Sequence, residues 1–95
     1  MELDEWLSAF YRKARTDNRI STTHISLYFS LLHELNNQTD NSVFHLQRSL
    51  IMENAKISSR VTYNKCMREL HEYGYINYQP SFIAGRSMVI MIELG

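Results

Sequence analysis

Ninety-five residues bound the chain to a single domain, large enough for one core but with little room for both a catalytic cleft and its supporting shell. Ten basic residues balance ten acidic ones, so the whole-chain field lacks the strongly basic footprint common among nucleic-acid binders. The balance is uneven along the chain: residues 1–55 hold five cations against seven acids, and residues 56–95 hold five against three.

In chain order, Leu3, Trp6, Leu7, Phe10 and Ala14 form a helical stripe that predicts helix one over residues 1–16, ending before the polar turn Asp17-Asn18-Arg19. A short extended step at Ile20 precedes helix two, predicted over 22–36, whose stripe of Ile25, Tyr28, Phe29, Leu32 and Leu35 faces the core. Residues 36–42 contain no apolar side chain and read as a loop. Val43 to Leu46 suits a brief strand, and Leu50, Ile51 and Ala55 mark a short helix over 47–56. It is followed almost without a linker by a helix over 58–73. There Tyr63, Cys66, Met67 and Leu70 fall at i, i+3, i+4 and i+7. Ser58 is its expected N-cap, and Gly74 suits the left-handed residue that ends a helix.

Opposite that stripe lie Val61, Lys65 and Arg68, with Arg60, Thr62 and Asn64 on the flanks and no acid before Glu69. Two tightly joined helices, the second cationic on its outer face, are a helix-turn-helix arrangement. Cations there fix phosphates, and small polar side chains reach base edges in a major groove of double-stranded DNA. Val61 suits a thymine methyl or is an ordinary surface valine. After Gly74 the period becomes two: Ile76 and Tyr78 alternate with Asn77 and Gln79, Pro80 ends the strand, Gly85 offers a turn, and residues 88–94 resume extended structure. Residues 75–94 therefore read as a wing hairpin, with Val43 to Leu46 as a third strand. Its tip offers Arg86 to a minor groove or phosphate and Ser87 as a neutral hydrogen-bonding group.

The expectation is one α+β domain over residues 1–95: a winged helix-turn-helix of about four helices and a small antiparallel sheet. Thr62-Tyr63-Asn64-Lys65, Met67, Leu70 and Gly74-Tyr75-Ile76 resemble the recognition-helix-to-wing pattern of MarR-like regulators. More narrowly, His24 to Asn36, Ile57 to Ser81 and Gly85 to Val89 resemble small winged-helix proteins of Bacteroidetes, often encoded near conjugative or mobilisable elements. The resemblance implies a winged-helix fold and a role in transcription or in excision or replication of a mobile element. Phe82-Ile83-Ala84 departs from it, standing where a proline-containing turn is usual.

The candidate DNA-binding set is Ser59, Arg60, Val61, Thr62, Asn64, Lys65, Arg68, Arg86 and Ser87. No catalytic residue, cofactor or small-molecule ligand is indicated, because a phosphate loop, a nucleophile elbow and a paired acid and base are all missing from the sequence. The four histidines, at 24, 33, 45 and 71, have no metal-ligand spacing and read as surface or capping residues. With one cysteine an internal disulfide is excluded, and Cys66 on the apolar stripe reads as core rather than redox sensor. MELDEW is acidic where a secretory signal is basic, and the longest apolar run, Met88–Ile92, is five residues, against the ~20 of a membrane-spanning helix. A cytoplasmic protein without a membrane role is expected. Leu3, Trp6, Leu7 and Phe10 give helix one either an intramolecular packing face or a homodimer interface. A two-fold dimer sets two recognition helices about 34 Å apart. A second functional class stays open: a protein-interaction module without DNA affinity, which neutral charge and the acidic pair Glu69 and Glu72 would permit.

Overall fold

The structure, a computed structural model, describes residues 3–38, 43–83 and 86–94. It has four helices, α1 (Leu3–Ala14), α2 (Thr22–Gln38), α3 (Arg48–Ala55) and α4 (Arg60–Glu72), and three strands, β1 (Val43–His45), β2 (Ile76–Gln79) and β3 (Met88–Met91). The strands form one antiparallel sheet in the order β1-β3-β2, with Phe44 opposite Val89 and Tyr78 opposite Val89 on its other side. This is an α+β winged-helix arrangement: α3 and α4 are the helix pair, and β2 and β3 are the wing. No described helix is long and apolar enough to cross a membrane.

Helix α1 carries Asp4 and Glu5 in its first turn and Arg12 and Lys13 in its last, each sign placed against the helix dipole's opposite end. Its start and end both lie inside the expected 1–16. Ile20 sits in irregular chain rather than a strand. Helix α2 opens with a reciprocal cap: Ser21 Oγ accepts from the His24 amide at 3.3 Å, and His24 Nδ1 accepts from the Ser21 amide at 2.9 Å. Two otherwise unpaired first-turn donors are thereby satisfied, with histidine in the place usually taken by Glu or Gln.

Helix α2 runs two residues beyond the predicted end, through Asn37 to Gln38. The rest of the expected loop, 39–42, lies outside the described residues. Its core face also differs from the predicted stripe. Leu27, Tyr28, Leu31, Leu32 and Leu35 are buried, while Phe29 is 46% exposed. The helix is surrounded by its neighbours rather than packed on one side, so Phe29 falls at the margin, edge-on to Phe10 at 5.8 Å. Ser26 and Ser30 donate from α2 to the Ala55 and Ile51 carbonyls of α3. These polar bonds hold the two helices together within an apolar contact.

Helix α3 is flanked by Gln47, in extended conformation, and by Lys56, whose φ of 61° is left-handed. The Lys56 amide reaches the Glu53 and Met52 carbonyls, and Ile57 N–H also bonds to the Met52 carbonyl. That closure turns the chain directly into α4. Ser59 rather than Ser58 is the N-cap of α4, its hydroxyl accepting from the Thr62 amide at 3.2 Å. Tyr63, Cys66, Met67 and Leu70 are all buried as the spacing predicts. At the far end Gly74 adopts φ +85°, and the Tyr75 amide bonds back to the Leu70 carbonyl at 2.9 Å. Lys13 of α1 donates to the Gly74 carbonyl at 2.9 Å and sits 4.4 Å above the Tyr75 ring, fixing the start of the wing to α1. The predicted turn at Gly85 lies outside the described residues.

Candidate nucleic-acid interface

Because the apolar stripe of α4 is consumed by the core, its opposite face is presented outward. Arg60, Val61, Asn64, Lys65 and Arg68 are exposed, Val61 by 79%, and Thr62 is half-buried. None of the three cations forms an ion pair with another described residue. Ser59 is exposed too, but its oxygen is committed to the cap.

The wing candidates behave differently from each other. Arg86 is exposed, and its amide donates to the Ile83 carbonyl at 3.1 Å. Ser87 is half-buried, and its hydroxyl accepts from the Ser81 amide at 3.0 Å. The same hydroxyl donates to the Ser81 carbonyl at 3.5 Å, so Ser87 closes the base of the loop rather than standing free. Phe82 is fully exposed and Ile83 is 65% exposed.

Two residues outside the predicted set are linked to α4. Tyr78 of β2 has its amide bonded to His71 Nδ1 of α4 at 2.9 Å. Burial raises the pKa of its hydroxyl, while the Ser87 hydrogen bond and the charges of Arg48 and Arg68 oppose that rise. Arg48, the exposed first residue of α3, and Arg68 thus both act by charge on the same wing tyrosine. A basic residue opening the helix that precedes the cationic helix was a readable signal in the sequence.

The inward side of the same helix is polar as well as apolar. Glu69 Oε1 accepts from His24 Nε2 at 2.9 Å, and Glu69 Oε2 accepts from the Tyr73 hydroxyl at 3.3 Å. Arg19 lies 4.1 Å over the Tyr73 ring and makes two side-chain bonds to Asp17, at 2.8 and 2.9 Å, and one from its amide at 3.1 Å. Asp17 also accepts from the Tyr75 hydroxyl at 3.0 Å. The Arg19 side-chain bond, with lesser help from its amide and from Tyr75, outweighs desolvation and holds the Asp17 carboxyl below the usual carboxylate range. The turn after α1 is thereby tied to Tyr73 and Tyr75, on either side of Gly74.

This network adds to two sequence readings. His24 is only 5% exposed, a buried bridge between α2 and α4 as well as a cap; His33, His45 and His71 are exposed. Glu69 faces inward, so it does not form an exposed acidic pair with Glu72. The sequence spacing also concealed a donor cluster: ligand atoms of His24, Cys66 and Glu69 lie within 4.8 Å of one another. The Cys66 thiol is buried, and burial, then Glu69, pushes its pKa up against the pull of Lys65. That suits a core cysteine and not an activated thiolate.

Of the four proposed dimer residues, Phe10 is used inside the protomer. It is 3% exposed, stacked on Tyr28 at 4.1 Å and edge-on to Tyr75 at 5.5 Å. Leu3, Trp6 and Leu7 are partly buried against the same core. A groove of about 570 Å³ runs over α2 and α3 past Ile25, Phe29 and His33 and includes none of the candidate DNA-binding residues. Compared with family models, curated proteins and solved structures, the chain finds no match.

Proposed function

We propose that the protein binds double-stranded DNA by placing α4 in a major groove, with the wing along the flanking backbone. One observation carries this reading: the exposed face of α4 presents Arg60, Asn64, Lys65 and Arg68, while Glu69 is turned inward to His24. The outer face is therefore locally cationic even though the whole chain is neutral. In this reading Lys65, Arg60 and Arg68 contact phosphates or guanine edges, Asn64 and Thr62 reach base edges, and Val61 meets a thymine methyl. Arg48 adds a phosphate contact from the neighbouring helix, and Arg86 one from the wing. The reading extends, on the resemblance described above, to a cytoplasmic bacterial regulator or accessory factor of a mobile element. A homodimer through Leu3, Trp6 and Leu7 fits a two-fold operator.

Fluorescence-anisotropy titration against DNA of the encoding neighbourhood and against random duplex, at two salt concentrations, tests it. Salt-sensitive binding that prefers the neighbourhood DNA is expected, with a slope of about −0.9 per phosphate neutralised. Absence of binding at low salt overturns it. The rival reading, a protein-interaction module, is favoured by Phe82 and Ile83, whose exposed apolar surface at the wing is unusual for a phosphate contact. It expects indifference to salt and to loss of Lys65 or Arg68.

A further inference from the structure

We propose that His24, Cys66 and Glu69 form a binding site for a thiophilic divalent cation of the zinc class, coupling α2 to the inner face of α4. The three donor atoms lie within 4.8 Å of one another. Around a single zinc ion, bonds of about 2.0 Å to nitrogen and about 2.3 Å to sulfur put donors roughly 3–4 Å apart, so closure needs only small side-chain adjustments. Cys66 and Glu69 are at i and i+3 on one helix face, and the capping turn of α2 brings His24 across to them.

The donor set selects the ion. A thiolate and an imidazole disfavour magnesium and calcium, which take oxygen ligands. One thiolate and one carboxylate neutralise a 2+ charge, which matters because His24 and Cys66 are each only 5% exposed. Glu69, with its side chain 24% exposed, opens the site to solvent and leaves a fourth position for water.

In the structure Ser21 N–H donates to Nδ1, so Nε2 carries the ring proton and gives it to Glu69. On binding, the cation takes the place of that proton. The ring stays neutral by carrying its hydrogen on Nδ1, where Ser21 Oγ at 2.9 Å is positioned to accept it. The Ser21 amide must then release Nδ1, so binding loosens that half of the cap while Ser21 Oγ keeps hold of the ring. The Cys66 thiol releases its proton to solvent as the sulfur–metal bond forms. Ser21 thereby takes the orienting role that a second hydrogen-bond partner gives a metal-bound histidine.

The inference stands on this cluster alone and is independent of DNA binding. The test is a Co²⁺ titration of the full chain, followed by displacement with Zn²⁺. Expected are a one-to-one endpoint, a cobalt–thiolate charge-transfer band that zinc abolishes, and a Tm that rises with free zinc. The band should vanish in Cys66→Ser. His24→Gln should weaken affinity by about 100-fold or more, and Ser21→Ala by about 10–100-fold. Far-UV circular dichroism checks each variant's fold. If Cys66→Ser does not fold, alkylation of Cys66 in the wild type replaces it: saturating zinc should slow the reaction. No thiolate band, an affinity unchanged in Cys66→Ser, or alkylation indifferent to zinc overturns the site.

Discussion

The two faces of α4 belong to one thirteen-residue helix and answer to different constraints. On the inner face, Tyr63, Cys66, Met67 and Leu70 are buried, and Glu69 is held by His24 and Tyr73. The four buried positions are set by packing density, and Glu69 by the pairing of its carboxylate. On the outer face, Arg60, Val61, Asn64, Lys65 and Arg68 touch little of their own protein. The fold does not require those side chains, so their chemistry is the part of the helix open to selection for a partner. A buried residue argues for architecture; an outward cation on a rigid helix argues for recognition.

Substitutions should separate the faces. The largest expected effect is Leu70→Ala: Leu70 is fully buried, and deleting its branch should cost about 2–5 kcal/mol in chemical denaturation. Gly74→Ala comes next. Its φ of +85° is strained for any side chain, and an added Cβ would meet Lys13 Nζ at 3.1 Å. A loss of about 1–2 kcal/mol is expected, together with loosening of the wing, read as faster amide exchange in β2.

Ser59→Ala removes the cap of α4 and should cost about 1 kcal/mol by the same denaturation assay. A fall much smaller than that would mean that the first turn of α4 is held from elsewhere. The smallest expected effect is on acid stability. The folded-state pKa of Asp17 is depressed, so its contribution is complete above the ordinary carboxylate value of about 3.9 and is lost as pH falls below it. Asp17→Asn should therefore lower Tm at neutral pH and leave a shallower decline in the acid limb.

Periodicity made the inner face of α4 legible, because four apolar side chains at helical spacing have one economical explanation. The wing was equally readable from its change of period after Gly74. Helix α2 was harder: a stripe assumes one buried side, whereas neighbours surround this helix, and Phe29 was placed inward although it lies at the margin. Ser58 and Ser59 are chemically equivalent as caps, so only the backbone chooses between them. The His24–Glu69 bridge spans 45 positions, and no local pattern encodes such a pairing. Arg48 was missed although it was readable, as a basic residue opening the helix that precedes the cationic one. The outward side chains of α4 could be named from sequence, but the inward turn of Glu69 that leaves them locally cationic could not.

The most direct measurement is the salt dependence of duplex-DNA affinity for the wild type, Lys65→Ala and Arg68→Ala, with the melting temperature of each recorded alongside. DNA recognition by the outer face of α4 predicts a steep wild-type slope, weaker binding in both variants, a slope shallower by about 1 where a phosphate contact is lost, and unchanged melting. Wild-type affinity and slope retained in both folded variants, or no binding at low salt, would contradict it.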